Sequence, residues 1–245
     1  MNPPKLSINT RIVYNNTRNV VSVCRKVGLD VIGVTKGVGG LPAVARAMLT
    51  GGAVGIADSR LANLERLRRS GISAALMLLR SPALGETGQV VSLADTVLCS
   101  ALSTMQALSQ AAVRQRSEIG VVPMVEMGDR REGIMSEQLG ELLRSAGRLP
   151  GIRIRGLGTN MACLAGALPT SDQVARLQEL VQGLGVGHLS QLVLSAGNSS
   201  ALGLVYRGRW PELSLPAHLR VGESILLGWD VITKEALPVT SQDAF

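Results

Sequence analysis

Asp30-Val31-Ile32-Gly33-Val34-Thr35-Lys36 is a short, largely β-branched apolar run that ends in a lysine, and Gly37-Val38-Gly39-Gly40 follows it at once. Such an uninterrupted run predicts a strand over 30–35 that is buried on both faces. A long cation on the C-terminal lip of a buried strand points into whatever pocket forms there. A desolvating pocket lowers the pKa of an ammonium and turns it into an amine nucleophile. The plainer reading of Lys36 is a side chain snorkelling out of a core strand. The rest of the chain decides between them.

Outward from this strand, strands and helices alternate. An amphipathic helix from about Thr10 to Val27 precedes it, with Ile12, Val13, Val20, Val23 and Val27 on one face and Gly28 as its stop. Further strand-like runs fall at 53–57, 74–79, 95–99, 121–127, 153–159, 191–196 and 218–222. Helical patterns lie between them at 41–50, 59–70, 101–116, 137–147 and 172–184, with turns near 86–92 and 200–206. Eight nearly continuous apolar strands alternating with helices predict an α/β fold of the (β/α)8 TIM-barrel type, whose active site lies at the C-terminal strand ends. A doubly wound open sheet is the alternative. No low-complexity linker interrupts the pattern, so one domain is expected over 1–230. Residues 231–245 read as a departing strand and a polar tail.

Composition narrows the function. The chain has 245 residues, 46% of them hydrophobic, enough for one large core. No apolar stretch reaches the roughly 18 residues of a membrane span, and Met1-Asn2-Pro3-Pro4-Lys5 lacks a secretory pattern. Cys24, Cys99 and Cys163 are scattered with no CxxC pair, which suits a reducing cytoplasm. With His188 and His218 as the two histidines, a histidine-rich metal site is not expected. The net charge of +7 raises the question of nucleic acid, but aromatics are 2% and the arginines are dispersed. The densest group, Arg66, Arg68 and Arg69 beside Glu65, reads as a solvated helix face. The positive surplus instead suits small anionic ligands.

On a barrel, the residues just past each strand form one rim. They include Lys36, then Asp58-Ser59, then Gly128-Asp129-Arg130-Arg131-Glu132-Gly133-Ile134. Further on come Gly158-Thr159-Asn160-Met161-Ala162-Cys163, Gly197-Asn198-Ser199-Ser200 and Arg220-Val221-Gly222-Glu223-Ser224. Small residues before a short helix expose backbone N–H groups, and the serines add hydroxyl donors, so Gly197–Ser200 is a candidate anion loop. A ligand-free Ser/Asn turn is its plain alternative. Gly37, Gly39 and Gly40 with Asp58 about twenty residues on imitate a dinucleotide fingerprint, but the third glycine position holds Pro42.

Taken together, Val34-Thr35-Lys36, the Gly128–Ile134 motif, Gly158-Thr159-Asn160, Gly197–Ser200 and Leu219-Arg220-Val221-Gly222 resemble the alanine racemase family of fold-type III pyridoxal 5'-phosphate (PLP) proteins. The resemblance spans nearly the whole chain and leans towards an ornithine racemase-like branch. It implies a PLP-dependent amino-acid racemase, an isomerase of amino-acid metabolism. Lys36 would hold PLP as an internal aldimine and act as one base at Cα, its usual pKa of about 10.4 lowered by desolvation and neighbouring cations. Asn198, Ser199 and Ser200 match the phosphate loop, and Gly222 and Glu223 the backbone donors after the last strand. Arg131 matches an arginine near the phenolic oxygen and the substrate carboxylate, and Asn160 a residue packing on the pyridine ring.

Arg220 matches the arginine facing the pyridine nitrogen. An arginine scarcely ever gives up its proton, so that nitrogen tends to stay unprotonated and reprotonation at Cα is favoured over transamination. Racemases of this family also carry a second, mostly β domain that donates a tyrosine base across a homodimer interface. Tyr14 and Tyr206 do not match that tyrosine, and the sequence reaches Phe245 about where such a domain would begin. Two expectations follow: a racemase barrel lacking that domain, or a single-domain, non-catalytic PLP-binding protein of the PLP-homeostasis type. The latter branch is rich in Gly-Glu-Asn where this chain has Ala57-Asp58-Ser59-Arg60.

Overall fold

Residues 6–162, 166–183, 192–237 and 243–245 are described by a computed structural model. The opening helix α1 (Thr10–Arg25) is capped by Asn9, whose Oδ1 accepts from the backbone of Arg11 and Ile12. Gly28, at φ 73°, turns the chain into β1 (Leu29–Val34). Next come α2 (Pro42–Thr50), β2 (Gly55–Asp58), α3 (Leu61–Arg69), β3 (Ala75–Leu78), α4 (Thr87–Leu93), β4 (Thr96–Leu98), α5 (Leu102–Gln115) and β5 (Ile119–Val122). The second half adds α6 (Ser136–Ala146), β6 (Ile152–Ile154), β7 (Gly156–Gly158), α7 (Ser171–Gly183), β8 (Val193–Asn198), α8 (Leu202–Tyr206), β9 (Ala217–Val221) and α9 (Glu223–Leu227). The expected strand at 191–196 is seen from Val193 onward, Gln191 lying outside the described residues.

All strand pairs are parallel, in the order β6-β5-β4-β3-β2-β1-β9-β8-β7. The two ends of this order, β6 and β7, are consecutive in the chain. The strand expected at 153–159 is therefore one barrel position in two pieces, broken at Arg155. Its first half pairs with β5 and its second with β8, while Arg155 itself bonds both ways, donating to Val121 O and accepting from Val193 N. Met124 bridges Gly158 just above the break and closes the ring, so the eight-position barrel holds. Gly156 makes the break possible. Its φ of 154° is open to glycine, and any Cβ there would run into the Val193 backbone.

Two apolar layers result. Ile32, Val34, Ala57, Met77, Leu79, Leu98, Val122 and Met124 fill the barrel interior. A larger cluster lies between strands and helices and includes Leu64 and Leu67 of α3, both fully buried. Truncating either to Ala removes about 2–5 kcal/mol. The fifth strand ends at Val122 rather than at 127 because Pro123 has no N–H for the ladder. The basic face of α3 is not simply solvated. Arg66 donates to Gly39 O at 2.6 Å, and Arg68 donates to the carbonyls of Ile72, Ala74 and Leu93 and pairs with Asp95. The C-terminal segment packs back on the barrel. Trp229 bridges Ala236, Leu237 and Ala244 are buried, and Ala244 bonds both Asn9 and Leu226 through its backbone.

Candidate active site

Lys36 opens a single 3-10 turn, Lys36–Val38, directly after β1. The residue before it is fixed from below. Thr35 Oγ1 donates to Asp58 Oδ2 at 2.8 Å, and Asp58 Oδ1 accepts from Asn63 Nδ2 at 2.9 Å and from the Arg60 N–H at 3.0 Å. Thr35 and Asp58 are fully buried. Gly40, at φ 65°, closes the turn against Asn63, where a Cβ would lie 2.6 Å from the Asn63 Cβ. The glycines and Asp58 thus build the base under Lys36, and the carboxylate that imitated a ribose ligand is spent inside the fold. Lys36 is exposed at the rim, and its side chain makes no hydrogen bond or ion pair among the described residues.

At the rim the structure brings together the residues that the resemblance matched to cofactor binding and catalysis. Lys36, Arg131, Asn160, Asn198, Ser199, Ser200, Arg220, Gly222 and Glu223 all line one cavity of about 430 Å3, floored by Val34, Leu79 and Leu98. Its charged lining is three cations against Glu223, which suits an anionic ligand. Glu223 also meets Lys234 at 3.4 Å in an exposed pair, a weak tie.

Arg220 is 4% exposed and held from two strand ends. Nη1 donates to the carbonyl and hydroxyl of Ser195, and Nη2 donates to Thr159 O at 2.8 Å and Asn160 Oδ1 at 3.1 Å. The last bond orients Asn160, whose amide borders the cavity. Behind Arg220, Ser195 Oγ meets His218 Nε2 at 2.8 Å. Burial, and then the Arg220 charge, push the His218 imidazole down to about 3, so it is neutral near neutral pH. This Ser195–His218 support carries no local motif and is invisible without strand register.

The loop after β8 divides its labour. Asn198 Oδ1 accepts from the Ser200 N–H at 2.9 Å, Asn198 Nδ2 donates to Met161 O at 2.9 Å, and Ser200 Oγ lies within reach of Met161 O and Asn198 Oδ1. These two side chains brace the loop against the segment after β7. Ser199 differs. Its Oγ accepts from the Gly222 N–H at 3.2 Å, so its own proton is left to give, and no described residue takes it. The Gly222 N–H is correspondingly engaged by Ser199.

Arg131 is exposed on a loop stitched by Glu126, whose Oε1 accepts from the Gly128 and Arg130 N–H groups. Gly133 lies so tightly against Glu126 that a Cβ has no space there. Glu132 accepts from Ser81 Oγ at 2.8 Å. Asp129 is 2% exposed. Cys163 lies outside the described residues. Neither tyrosine lines the cavity: Tyr14 stacks under Arg18 at 5.9 Å, and burial pushes the Tyr206 phenol up.

A lysine, a buried arginine and a serine loop thus converge at the C-terminal strand ends of a parallel α/β barrel. The chain belongs to the family described as alanine racemase, N-terminal domain, whose model matches residues 8–226. It is 30% identical over 243 residues to a lysine racemase of Thermotoga maritima, covering 99% of this chain and 67% of the relative. With an ornithine racemase of Acetoanaerobium sticklandii it is 32% identical over 244 residues, covering 99% of this chain and 68% of the relative. In fold it is similar to an alanine racemase from E. faecalis, with a TM-score of 0.76 and 18% identity over 97% of this chain and 63% of that one. The chain thus spans about two thirds of the length of the curated relatives it matches.

Proposed function

We propose that this chain binds PLP in the rim cavity and serves the racemisation of an amino acid, with basic amino acids such as lysine and ornithine as the substrate class. The observation that carries the reading is the meeting of Lys36, Ser199 and Arg220 on one cavity. The donor set fits the group: three cations and a serine hydroxyl for a phosphate, an apolar floor for a flat ring, and a primary amine for an aldehyde. The names of the two curated relatives support the substrate class.

When bound, PLP supplies an electron sink that makes the Cα proton of an amino acid acidic. The protein's part is to orient and to move that proton. Lys36 Nζ is the amine that would hold the cofactor's aldehyde and would take or return the proton at Cα. Ser199 Oγ would donate a hydrogen bond to a phosphate oxygen, while Asn198 and Ser200 hold the loop in shape. Arg220 is fixed by strand-end carbonyls, and its charge disfavours protonation of a basic nitrogen held against it. Arg131, exposed on its loop, would pair with the substrate carboxylate.

Borohydride reduction of the protein mixed with PLP, followed by peptide mass spectrometry, tests the attachment. The adduct is expected on Lys36 and absent from Lys36→Ala; an adduct on another lysine overturns the assignment. Chiral chromatography of lysine, ornithine and alanine after incubation tests the substrate class.

A further inference from the structure

The barrel interior has a second opening at the other end of the strands. Gly55, Ala75, Thr96 and Val193 are the first residues of β2, β3, β4 and β8, and they border a void of about 160 Å3. Its walls are mostly apolar, with Ile32, Ile56, Leu76 and Val122 among them, and Val54 stands 48% exposed at its mouth. The size matches the roughly 150 Å3 apolar cavity that accepts a benzene-sized ligand.

Two polar side chains at this void, Arg155 and His218, have N–H groups to spare. Arg155, at the break between β6 and β7, is exposed, and its guanidinium makes no hydrogen bond or ion pair among the described residues. His218 is 8% exposed, and its Nε2 is taken by Ser195. Because Ser195 Oγ accepts from Arg220, its own proton is free to go to Nε2, which leaves the ring proton on Nδ1. That Nδ1–H has no acceptor among the described residues. Among the described residues no acidic side chain lines the void; Asp30, the Cα partner of His218, is exposed on β1. The recess therefore offers a guanidinium at its mouth, an apolar body, and a neutral N–H donor.

We propose that this recess is a second ligand site, separate from the rim cavity, for a small monocarboxylate with a compact apolar body. The body fills the void between Ile32 and Val122, and the carboxylate pairs with Arg155. A short aliphatic acid or an arenecarboxylate has this shape; a free phosphate or a long-chain acid does not.

Benzoate is the probe, with benzyl alcohol as its neutral counterpart and acetate as the carboxylate without a body. The full chain is titrated with excess PLP and inorganic phosphate both present, so that the rim cavity is occupied whether or not the cofactor attaches. Histidine-labelled protein reports the site directly, since His218 is one of two histidines. Benzoate is expected to shift the His218 ring resonances saturably and acetate to leave them in place. Arg155→Gln is expected to weaken benzoate about tenfold while changing benzyl alcohol by less than about twofold. Val193→Phe, or Ala75→Leu if that variant does not fold, fills the void and is expected to abolish both. Unmoved His218 resonances, equal benzoate affinity in Arg155→Gln, or undiminished binding in a folded filling variant overturns the proposal.

Discussion

Thr35 Oγ1 donates to Asp58 Oδ2 at 2.8 Å, joining the last residue before Lys36 to the end of the neighbouring strand. The bond lies at full burial, and Asp58 carries two further donors from Asn63 and Arg60. Through it, the direction in which Lys36 leaves β1 is set by a residue that never meets the cavity. Thr35→Val is close to isosteric and leaves one carboxylate oxygen short of a donor. It is expected to cost about 1–3 kcal/mol in stability, read as a shift in urea midpoint. The same variant is expected to slow PLP attachment, whereas Thr35→Ser recovers both.

Ser199 is the hydroxyl of the β8 loop that still has a proton to give. Ser199→Ala is expected to lower PLP affinity by about ten- to a hundredfold, as one charge-assisted hydrogen bond is worth about 1.5–3 kcal/mol. Pyridoxal, which has no phosphate, is expected to change less. Fluorescence titration with both ligands checks this, and equal losses would make Ser199 a structural residue.

His218 predicts an acid limb for stability. Its folded-state value of about 3 lies below the usual 6.5, so the unfolded chain binds the proton first as pH falls. By linkage the fold loses stability from near pH 6.5 downward, and the loss is complete once the pH falls through about 3. Between pH 7 and pH 5 this one group is expected to remove about 2 kcal/mol. His218→Gln, which keeps a polar group beside Ser195, should flatten that stretch of the curve in urea titrations. An unchanged slope would mean that His218 opens to water before it charges.

Much of this architecture was legible because each buried strand is a continuous apolar run and each helix has a stop signal. Lys36 and Ser199 stand just past those runs, Arg220 lies inside the last of them, and the barrel brings all three to one cavity. What depended on register was hidden. Arg153-Ile154-Arg155-Gly156-Leu157-Gly158-Thr159 reads as one strand, and nothing local says that Arg155 splits it between two neighbours. Asp58 read as a possible ligand because its distance from the glycines fits a nucleotide fold, whereas its side chain turns inward to Thr35. The Ser195–His218 contact joins residues 23 apart on adjacent strands, and helix α9 follows its strand too closely to show a separate period. Asn198 and Ser200 look equivalent to Ser199 in sequence; the bonds each makes tell them apart.

Inversion at Cα needs a proton taken from one face and returned to the other. Among the described residues lining the cavity, Lys36 is the amine that can do the first. Arg131 and Arg220 carry guanidinium groups, which are donors with no acceptor site for a proton. Glu223, only weakly paired with Lys234, is the carboxylate on this lining. The 245-residue chain is therefore expected to exchange the Cα proton faster than it inverts the centre. In deuterium oxide, L-lysine or L-ornithine should gain deuterium while keeping most of its handedness, measured by mass spectrometry and chiral chromatography on the same samples. Lys36→Ala should abolish the exchange. Inversion as fast as exchange would require a second base within this chain, and Glu223→Gln and Asp129→Asn are the variants that would locate it.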